Sequence, residues 1–369
     1  MRLRERISRD LKFIRGLRRT LRRVKTIASD STNLSCDDLE EAVDRWRERT
    51  AVTFEGGSVT YGEFDQIANR YAHWARGQNL RRGATVALFM PNRLEYPAIW
   101  YGLSKVGVAA ALINNQLTGA ALRHCLDVSG ATHVLVDGDT LPMLEAVRGE
   151  LARNMVVWTL STAHGDLRDL GKALKSCSQL RPDRAQREGM TAKETCVYIF
   201  TSGTTGLPKA ARMSHMRFLN AGEMMTGLME FGADDVFYCV LPLYHGAGGM
   251  VVPSVALATG RPFVLRRRFS RSGFWPDVRR HRITAVYYIG EIVRYLLAAP
   301  PAPADRDHSL RVMTGAGLKP DLWEAFADRF GVDAIIEGLG STEANYGITN
   351  VDGRPGSVGR LPYPRATNI

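Results

Sequence analysis

Short apolar runs alternate with stretches of helical spacing along most of this chain, and this alternation limits the possible fold more than any other feature. Apolar runs bounded by turn residues predict buried strands at 84–92, 107–115, 132–137, 155–160, 195–201, 236–243, 262–269, 284–290, 310–317 and 332–340. Residues 61–77 and 95–106 have the spacing and length of helices. Strands and helices in alternation predict a layered α/β fold.

Composition divides the chain into three parts. Residues 1–27 are strongly basic, and the two sets of strands that follow predict two α/β subdomains at 28–190 and 191–369. The polar, weakly periodic stretch at 161–193 predicts a surface connection between them. No short internal repeat is present, which argues against a solenoid.

The positive charge is concentrated at one end of the chain. The net charge is +11 at pH 7, and residues 1–27 carry +9 of it, which leaves +2 for the other 342 residues. A nearly neutral body has no extended basic face, so we do not expect nucleic acid as a partner.

Cysteine usage and hydropathy indicate the compartment. Five cysteines are widely spaced, without a Cys-x-x-Cys pair or clustered histidines, so a zinc site is not predicted and a reducing, cytosolic setting is expected. Residues 236–260 form an uncharged run long enough to span a bilayer, but Pro242, Gly246, Gly248, Gly249 and Pro253 would break such a helix.

The first 27 residues predict a basic amphipathic helix. Its apolar stripe consists of Leu3, Ile7, Leu11, Ile14, Leu17, Leu21 and Val24. Arginines fill the other faces, and this combination is typical of helices that lie on anionic membranes. Packing on the protein's own surface, an Arg-rich transit peptide and an RNA-binding arm are the alternatives.

The most informative motif is TSGTTGLPK at residues 201–209, which directly follows an apolar strand. Glycines allow backbone N–H groups to face an anion, the hydroxyls donate further hydrogen bonds, and Lys209 adds positive charge. The motif therefore predicts a phosphate-binding loop. It is not a Walker loop, because Ala210 follows the lysine, and it lacks the G-x-G-x-x-G spacing of dinucleotide-binding turns.

This motif, continued by AARMSH at 210–215, closely resembles the phosphate loop of adenylate-forming enzymes, the superfamily of acyl-CoA synthetases and luciferases. The resemblance implies that Lys209 is catalytic and that Thr201 also helps to hold magnesium. The residues that it implies for contact with the pyrophosphate end of ATP are Thr201, Ser202, Gly203, Thr204, Thr205, Gly206 and Lys209.

A second segment, EGLGSTE at 337–343, resembles the family segment in which Glu is a magnesium ligand and Thr approaches the α-phosphate. These roles would fall to Glu343 and Thr342, both counted as catalytic. The resemblance also implies further ATP contacts at Gly315, Ala316, Gly338, Leu339, Gly340 and Ser341. The family usually has Tyr, which stacks on adenine, where this sequence has Leu339, so an altered adenine contact is expected.

A third segment, LPLYHGAGG at 241–249, resembles the family loop that borders the acyl pocket. The resemblance implies pocket-lining roles for His245, Gly246, Gly248 and Gly249. Segments 287–296 and 315–323 resemble the branch of fatty acid transport proteins and very-long-chain acyl-CoA synthetases. Long-chain fatty acid is therefore the expected substrate.

The resemblance covers residues 35–369 and implies the N-terminal core of an adenylate-forming enzyme. The expected reaction converts a fatty acid and ATP to acyl-AMP and then to acyl-CoA, with Mg²⁺ and coenzyme A. The family's downstream Thr-Gly-Asp segment, hinge and C-terminal domain do not occur before Ile369, so we expect a truncated enzyme with little complete ligase activity.

Two other functions remain open at this point. One is a CoA ligase for a short, aromatic or carnitine-like acid, and the other is a non-catalytic, membrane-associated protein that binds nucleotide or lipid. The expected location is cytoplasmic, at the inner face of the membrane, with a homodimer as a further possibility.

Overall fold

The computed structural model describes residues 3–152, 155–160, 165–201, 206–343 and 347–359. The described helices are α1 (Leu3–Val24), α2 (Ser35–Trp46), α3 (Tyr61–Gly77), α4 (Glu95–Ser104), α5 (Gly119–Ser129), α6 (Leu141–Arg148), α7 (Leu170–Lys175), α8 (His215–Met229), α9 (Val252–Thr259), α10 (Arg271–Arg280), α11 (Gly290–Leu297) and α12 (Pro320–Phe330). Short 3₁₀ turns lie at Arg184–Arg187 and Pro303–Arg306, and a π-helical turn lies at Gly246–Val251.

Ten of the described strands fall within the apolar runs of the sequence. Five more were not predicted: two strands at 50–60, two short edge strands at 168–169 and 348–349, and the hairpin partner at 209–214. The described strands are β1 (Thr50–Phe54), β2 (Gly57–Thr60), β3 (Thr85–Phe89), β4 (Ala109–Leu112), β5 (His133–Val136), β6 (Val156–Thr159), β7 (Arg168–Asp169), β8 (Thr195–Thr201), β9 (Lys209–Ser214), β10 (Phe237–Cys239), β11 (Phe263–Leu265), β12 (Ala285–Ile289), β13 (Val312–Ala316), β14 (Ala334–Leu339) and β15 (Ile348–Thr349).

Two mixed sheets organise the molecule and confirm the α/β prediction. One has seven strands in the order β7-β6-β5-β3-β4-β8-β9, parallel except for the outer strand β9. The other has eight strands in the order β15-β14-β13-β12-β10-β11-β1-β2, parallel except for the outer strands β15 and β2. Central strands such as β3 are buried on both faces, which explains their continuous apolar sequence.

The sheets do not divide the chain at residue 190, where composition placed the boundary between subdomains. The β8–β9 hairpin joins the seven-stranded sheet through β4. The β1–β2 hairpin joins the eight-stranded sheet through β11, more than 200 residues away in sequence. The β1–β2 hairpin of the first half therefore belongs to the sheet formed mainly by the second half, and the β8–β9 hairpin of the second half belongs to the sheet formed mainly by the first half.

The stretch at 161–193 is more than the predicted surface connection, in the part that the structure describes. It contains β7, α7 and the 3₁₀ turn Arg184–Arg187, and it buries Leu170 and Arg187. Arg187 pairs with the buried carboxylates of Asp37 and Glu40, at 2.8 and 2.5 Å. The burial of the Arg187 charge is offset here because two buried carboxylates pair with it.

Helix α1 confirms the helix predicted for the basic segment, and it packs on α8. Arg19 donates a hydrogen bond to the Gly227 carbonyl at 2.5 Å and pairs with Glu230 at 2.9 Å. Arg23 pairs with Glu223 on α8 at 2.5 Å. Within the described residues, no helix is both long and apolar enough to cross a bilayer.

Candidate active site at the junction of the two sheets

The phosphate-loop motif is the turn of the β8–β9 hairpin. Strand β8 ends at Thr201 and strand β9 begins at Lys209, and these two residues are paired across the antiparallel ladder. The hairpin therefore fixes the two ends of the loop next to each other. Lys209 is exposed and Thr201 is half-buried, so both can meet a ligand from solvent.

The centre of this loop, Ser202–Thr205, lies outside the described residues, so the predicted roles of Ser202, Gly203, Thr204 and Thr205 stay predictions. Gly206 is described, exposed and in the left-handed region with φ of 88°, a conformation that L side chains rarely adopt. The Pro208 carbonyl lies 3.0 Å from His124 Nε2 on α5. This hydrogen bond fixes the end of the loop next to Lys209.

Glu343 lies directly beside the end of strand β8. The Thr201 hydroxyl donates a hydrogen bond to Glu343 Oε1 at 2.6 Å, although the two residues are 142 positions apart. This hydrogen bond is the main reason why the pKa of Glu343 is below its ordinary value, and Ser341 and Arg217 lower it further. The two independently predicted motifs thus meet in space, with an ionised carboxylate between them.

The Thr201–Glu343 pair suits a magnesium ion shared with a nucleotide. A hydroxyl and a carboxylate are oxygen donors, which Mg²⁺ prefers. No group of three or more His, Cys, Asp and Glu forms a metal site within the described ranges. One carboxylate, with substrate phosphates and water completing the shell, is the usual arrangement for magnesium on nucleotides, so Thr201 and Glu343 are the residues that would hold it.

The predicted ATP residues of the second motif lie at the carboxyl ends of β13 and β14. These ends are adjacent because the strands are parallel neighbours, with Gly315 opposite Glu337. Gly315 is buried, and a Cβ there would lie 2.1 Å from the Tyr288 carbonyl. The exposed members of the set are Ala316, Leu339, Gly340 and Ser341, while Gly338 and Thr342 are half-buried.

The predicted acyl-pocket residues form the turn that precedes α9. His245 is exposed, with its ring centroid 4.5 Å from that of Tyr244, and Gly246 is half-buried. Gly248 and Gly249 are buried, and a Cβ at Gly249 would lie 2.0 Å from the Leu243 carbonyl. Their lack of a side chain allows close backbone packing, and their role in an acyl pocket stays a prediction.

Three further residues shape the site and were missed by sequence reasoning. Buried Asn92 holds the segment before His245. Its amide N–H donates a hydrogen bond to the Leu241 carbonyl at 2.9 Å, and its amide oxygen accepts one from the Leu243 N–H at 2.8 Å. Its position in MPN at the end of a strand could have suggested a polar clamp. The pattern of the sequence alone could not reveal its partners, because they lie about 150 residues away.

Glu337 is the second missed residue, and it ties three strands together. Its carboxylate is buried and accepts hydrogen bonds from the backbone N–H groups of Gly317 and Leu318, at 2.5 and 3.1 Å, and from the Tyr288 hydroxyl. It thereby fixes the loop that follows β13 against β14. A carboxylate inside an apolar strand was the available signal.

Arg217 is the third missed residue. It lies in the first turn of α8 and donates a hydrogen bond to the Thr342 carbonyl at 2.8 Å. Its charge also contributes to lowering the pKa of Glu343. No local sequence signal separates this arginine from the many others in the chain.

Comparisons with known proteins agree with the observed fold. A model of the AMP-binding enzyme family matches residues 39–367, which is most of the chain. The chain belongs to the AMP-binding enzyme family. Thr201 and Glu343, which are joined by a hydrogen bond, both lie within the matched residues.

Similar proteins in this family include three fatty acid transport proteins. Long-chain fatty acid transport protein 6 of Mus musculus is 37% identical over 316 residues, which are 85% of this chain and 51% of that protein. Long-chain fatty acid transport proteins 1 and 5 of Homo sapiens are 38% and 40% identical, over 87% and 83% of this chain and 50% and 46% of their own lengths. The chain spans about half the length of these relatives.

Solved structures share the fold of this chain. The anthranilate CoA ligase AuaEII in complex with anthranoyl-AMP has a TM-score of 0.79 at 23% identity and covers 91% of this chain and 65% of its own. The N-terminal domain of FACL13 from Mycobacterium tuberculosis has a TM-score of 0.76 at 19% identity and covers 89% of this chain and 82% of its own. The expected adenylate-forming N-terminal core is confirmed.

Proposed function

We propose that this chain activates a fatty acid by adenylation, the first half-reaction of an acyl-CoA synthetase. The observation that carries the proposal is the hydrogen bond from Thr201 to Glu343. It joins the β8–β9 hairpin, called here the phosphate hairpin, to the turn at Thr342–Glu343. Membership of the AMP-binding family supports ATP as the nucleotide. The similarity to long-chain fatty acid transport proteins supports a long acyl chain.

The chemistry requires two anions to approach each other. A carboxylate oxygen of the acid attacks the α-phosphorus of ATP, a P–O bond to the acyl group forms, and the bond to pyrophosphate breaks. Lys209, at the start of β9, places a positive charge beside the polyphosphate. Magnesium, when bound, supplies further neutralisation of the phosphate charge. Binding and orientation by the hairpin lower the entropic part of the barrier.

In the second half-reaction of such an enzyme the thiol of coenzyme A displaces AMP, and we propose that the 369-residue chain alone carries out little of this step. We assign the acyl side of the site to the turn that carries His245, because that turn lies between the Asn92 clamp and α9. The rival substrates are short, aromatic or carnitine-like acids, and a purely binding role is the rival outside catalysis.

ATP–pyrophosphate exchange with a panel of acids tests the proposal. The purified 369-residue chain should exchange label with Mg·ATP, and exchange should rise with the length of a saturated fatty acid. Lys209→Met should lower exchange at least about tenfold, because it removes the charge beside the phosphates. Arg212→Met is the matched control on the same strand, since Arg212 is exposed and bonds Thr195 at 3.0 Å.

The outcomes separate the rivals. Preferential exchange with benzoate, acetate or carnitine would replace the fatty acid with another acid class. Saturable ATP binding without exchange for any acid would favour the non-catalytic alternative.

We also propose that α1 makes a peripheral contact with an anionic membrane. The helix docks on α8 through the face that carries Arg19, Thr20 and Arg23, and Gly16 on this face is buried beside Val351. The apolar stripe lies on another face. Leu11, Ile14 and Leu21 are 47%, 48% and 48% exposed, although the helix is docked.

The charges around this exposed stripe favour a lipid surface as its partner. Arg15, Arg18 and Arg22 are exposed on the same helix, so apolar side chains and cations face solvent together. Interfacial helices use this combination to bury apolar side chains among acyl chains while the cations meet anionic headgroups. Packing on the protein's own surface, the alternative from sequence, accounts for the other face of α1.

Vesicle flotation tests the membrane contact. The chain should float with phosphatidylcholine vesicles that contain about 30% phosphatidylserine and should not float with phosphatidylcholine alone. The triple variant Leu11→Ser, Ile14→Ser, Leu21→Ser should lose flotation, while Arg45→Ser on α2 should keep it. Flotation of the triple variant at the wild-type level would contradict the proposal. The cytoplasmic face and a homodimer stay predictions, which cell fractionation and sedimentation velocity check.

A further inference from the structure

We propose that Arg217 is a positioning residue that holds the Thr342–Glu343 turn against the phosphate hairpin, an inference that rests on the proposed function. Arg217 belongs to the element that follows the hairpin, since β9 leads directly into α8. The Ser214 side chain caps this helix and accepts a hydrogen bond from the Arg217 N–H at 3.4 Å. The backbone of Arg217 is therefore fixed relative to β9 and Lys209.

The side chain of Arg217 reaches from one sheet system to the other. Helix α8 follows the seven-stranded sheet, whereas the Thr342–Glu343 turn follows β14 of the eight-stranded sheet. The guanidinium donates to the Thr342 carbonyl at 2.8 Å and is half-buried. A charge-assisted hydrogen bond in partial shelter from water is among the stronger polar contacts available to such a turn.

The turn is thus held from two sides. On one side Thr201 donates to the Glu343 carboxylate at 2.6 Å, and on the other Arg217 donates to the carbonyl of the preceding residue. Loss of the Thr201 contact is expected when that carboxylate turns toward a cation. The Arg217 contact uses the backbone, so it can persist in the occupied site and keep the carboxylate within reach of the hairpin.

This arrangement separates two possible roles of the arginine. A residue that touches the nucleotide directly would contribute to binding of ATP with and without magnesium. A residue that positions Glu343 contributes mainly when magnesium is present, because the cation is what connects the carboxylate to the phosphates. The magnesium dependence of ATP affinity is therefore the readout that distinguishes positioning from direct contact.

Isothermal titration with ATP, in excess Mg²⁺ and in EDTA, tests the proposal on the purified chain. Arg217→Met should weaken Mg·ATP binding about tenfold and ATP binding in EDTA less than about twofold. Arg217→Lys, which keeps the charge and one donor, should recover most of the loss. Arg212→Met is the control for removal of an arginine from the same segment.

Each result decides the matter. Equal weakening with and without magnesium would assign Arg217 to direct contact and overturn the proposal, as would unchanged Mg·ATP affinity in Arg217→Met. If Arg217→Met fails to fold, Arg217→Lys carries the test, because the small loss of affinity that remains in it should appear with Mg²⁺ and be absent in EDTA. Failure of the wild-type chain to bind Mg·ATP would instead refute the proposed function, and the positioning role of Arg217 would be refuted with it.

Discussion

Two regions of the molecule concentrate charge, and they use it in opposite ways. Between α2, α3 and α4, the fully buried Lys105 bonds Asp65, Glu40 and Asn69 at 2.5, 3.1 and 2.7 Å. At the junction of the sheets, Lys209 and Glu343 are both exposed. The first region has its cation enclosed by protein partners, and the second presents its charges to solvent.

The comparison shows that residues of the same types differ in burial and in the number of protein partners that their charges have. Burial alone would raise the pKa of Glu40, but hydrogen bonds and charge from Arg187 and Lys105 lower it overall. Glu343 is exposed, and a hydrogen bond from Thr201 is the main cause that lowers its pKa further, so its ionised carboxylate stays accessible to a ligand. Removal of a charge should therefore affect stability in the first region and ligand binding in the second.

The largest effect is expected from Lys105→Met, which removes the fully buried cation shared by the carboxylates of Asp65 and Glu40 and leaves them only their arginine partners, Arg181 and Arg187. The free energy of unfolding should fall by about 3–5 kcal/mol. Denaturant unfolding measures it, and the folded fraction should keep its Mg·ATP affinity. Arg45→Met is the control, since its exposed pair with Glu41 on α2 should contribute less than about 0.5 kcal/mol. A loss below about 1 kcal/mol for Lys105→Met would break the comparison.

Close packing beside the acyl turn gives the next effect. Gly249→Ala should lower the free energy of unfolding by about 1–3 kcal/mol, because the added Cβ would lie 2.0 Å from the Leu243 carbonyl. Gly77→Ala is the matched control at the end of α3, where no atom lies within 4 Å of the added Cβ. Thermal and denaturant unfolding of both variants check this, and a neutral Gly249→Ala would show that the turn can shift freely.

Acid sensitivity should come in part from His215, a buried group that stays neutral. Burial lowers the pKa of His215 to about 4, with Ser35 as its hydrogen-bond partner at 2.9 Å. The unfolded chain takes up the proton as pH falls from about 6.5 toward 4, and the folded chain resists it, so stability rises with pH across this window. His215 should account for about 2 kcal/mol of the stability lost between pH 7 and pH 5.

His215→Asn isolates that contribution, because an amide oxygen can replace Nδ1 as an acceptor and does not titrate. The variant should lose less stability than the wild type between pH 7 and pH 5, as measured by denaturant unfolding at each pH. The same pH dependence in both proteins would exclude His215 as its source.

The smallest energetic effect is expected at the site itself. Glu343→Gln should weaken Mg·ATP binding about tenfold, because it removes the ionised cation ligand, and should leave the free energy of unfolding within about 0.5 kcal/mol of the wild type. Glu291→Gln, an exposed carboxylate that pairs with Arg294 at 2.6 Å, serves as the control and should bind like the wild type. A Glu343→Gln variant that binds normally but unfolds easily would reverse the comparison.

Much of the fold could be predicted from local pattern. The apolar runs at 84–92 and 195–201 became β3 and β8, and the helix at 61–77 has the same bounds as α3. These elements depend on periodicity and composition, which the sequence carries locally. The two motifs at 201–209 and 337–343 were recognisable from the sequence because their residue types and order are specific, and their ATP-binding roles stay predictions.

The remaining features depend on contacts between distant segments. Three examples are the pairing of β1 with β11, the pairing of β9 with β8, and the hydrogen bond from Arg217 to the Thr342 carbonyl. Tertiary structure brings these residues together. For α1, periodicity identified the apolar stripe, but the fit of Thr20 against Gly227 determined which face docks. Local pattern identifies the apolar and charged faces of an amphipathic helix, but it does not show which of these faces docks on the protein.

The most direct test of the account is titration of the folded wild-type chain with ATP in the presence and absence of magnesium. The account predicts saturable one-site binding at or below millimolar ATP, strengthened by Mg²⁺ through the pairing of Glu343 with the hairpin that carries Thr201 and Lys209. A folded sample that takes up no Mg·ATP at millimolar concentration would contradict it.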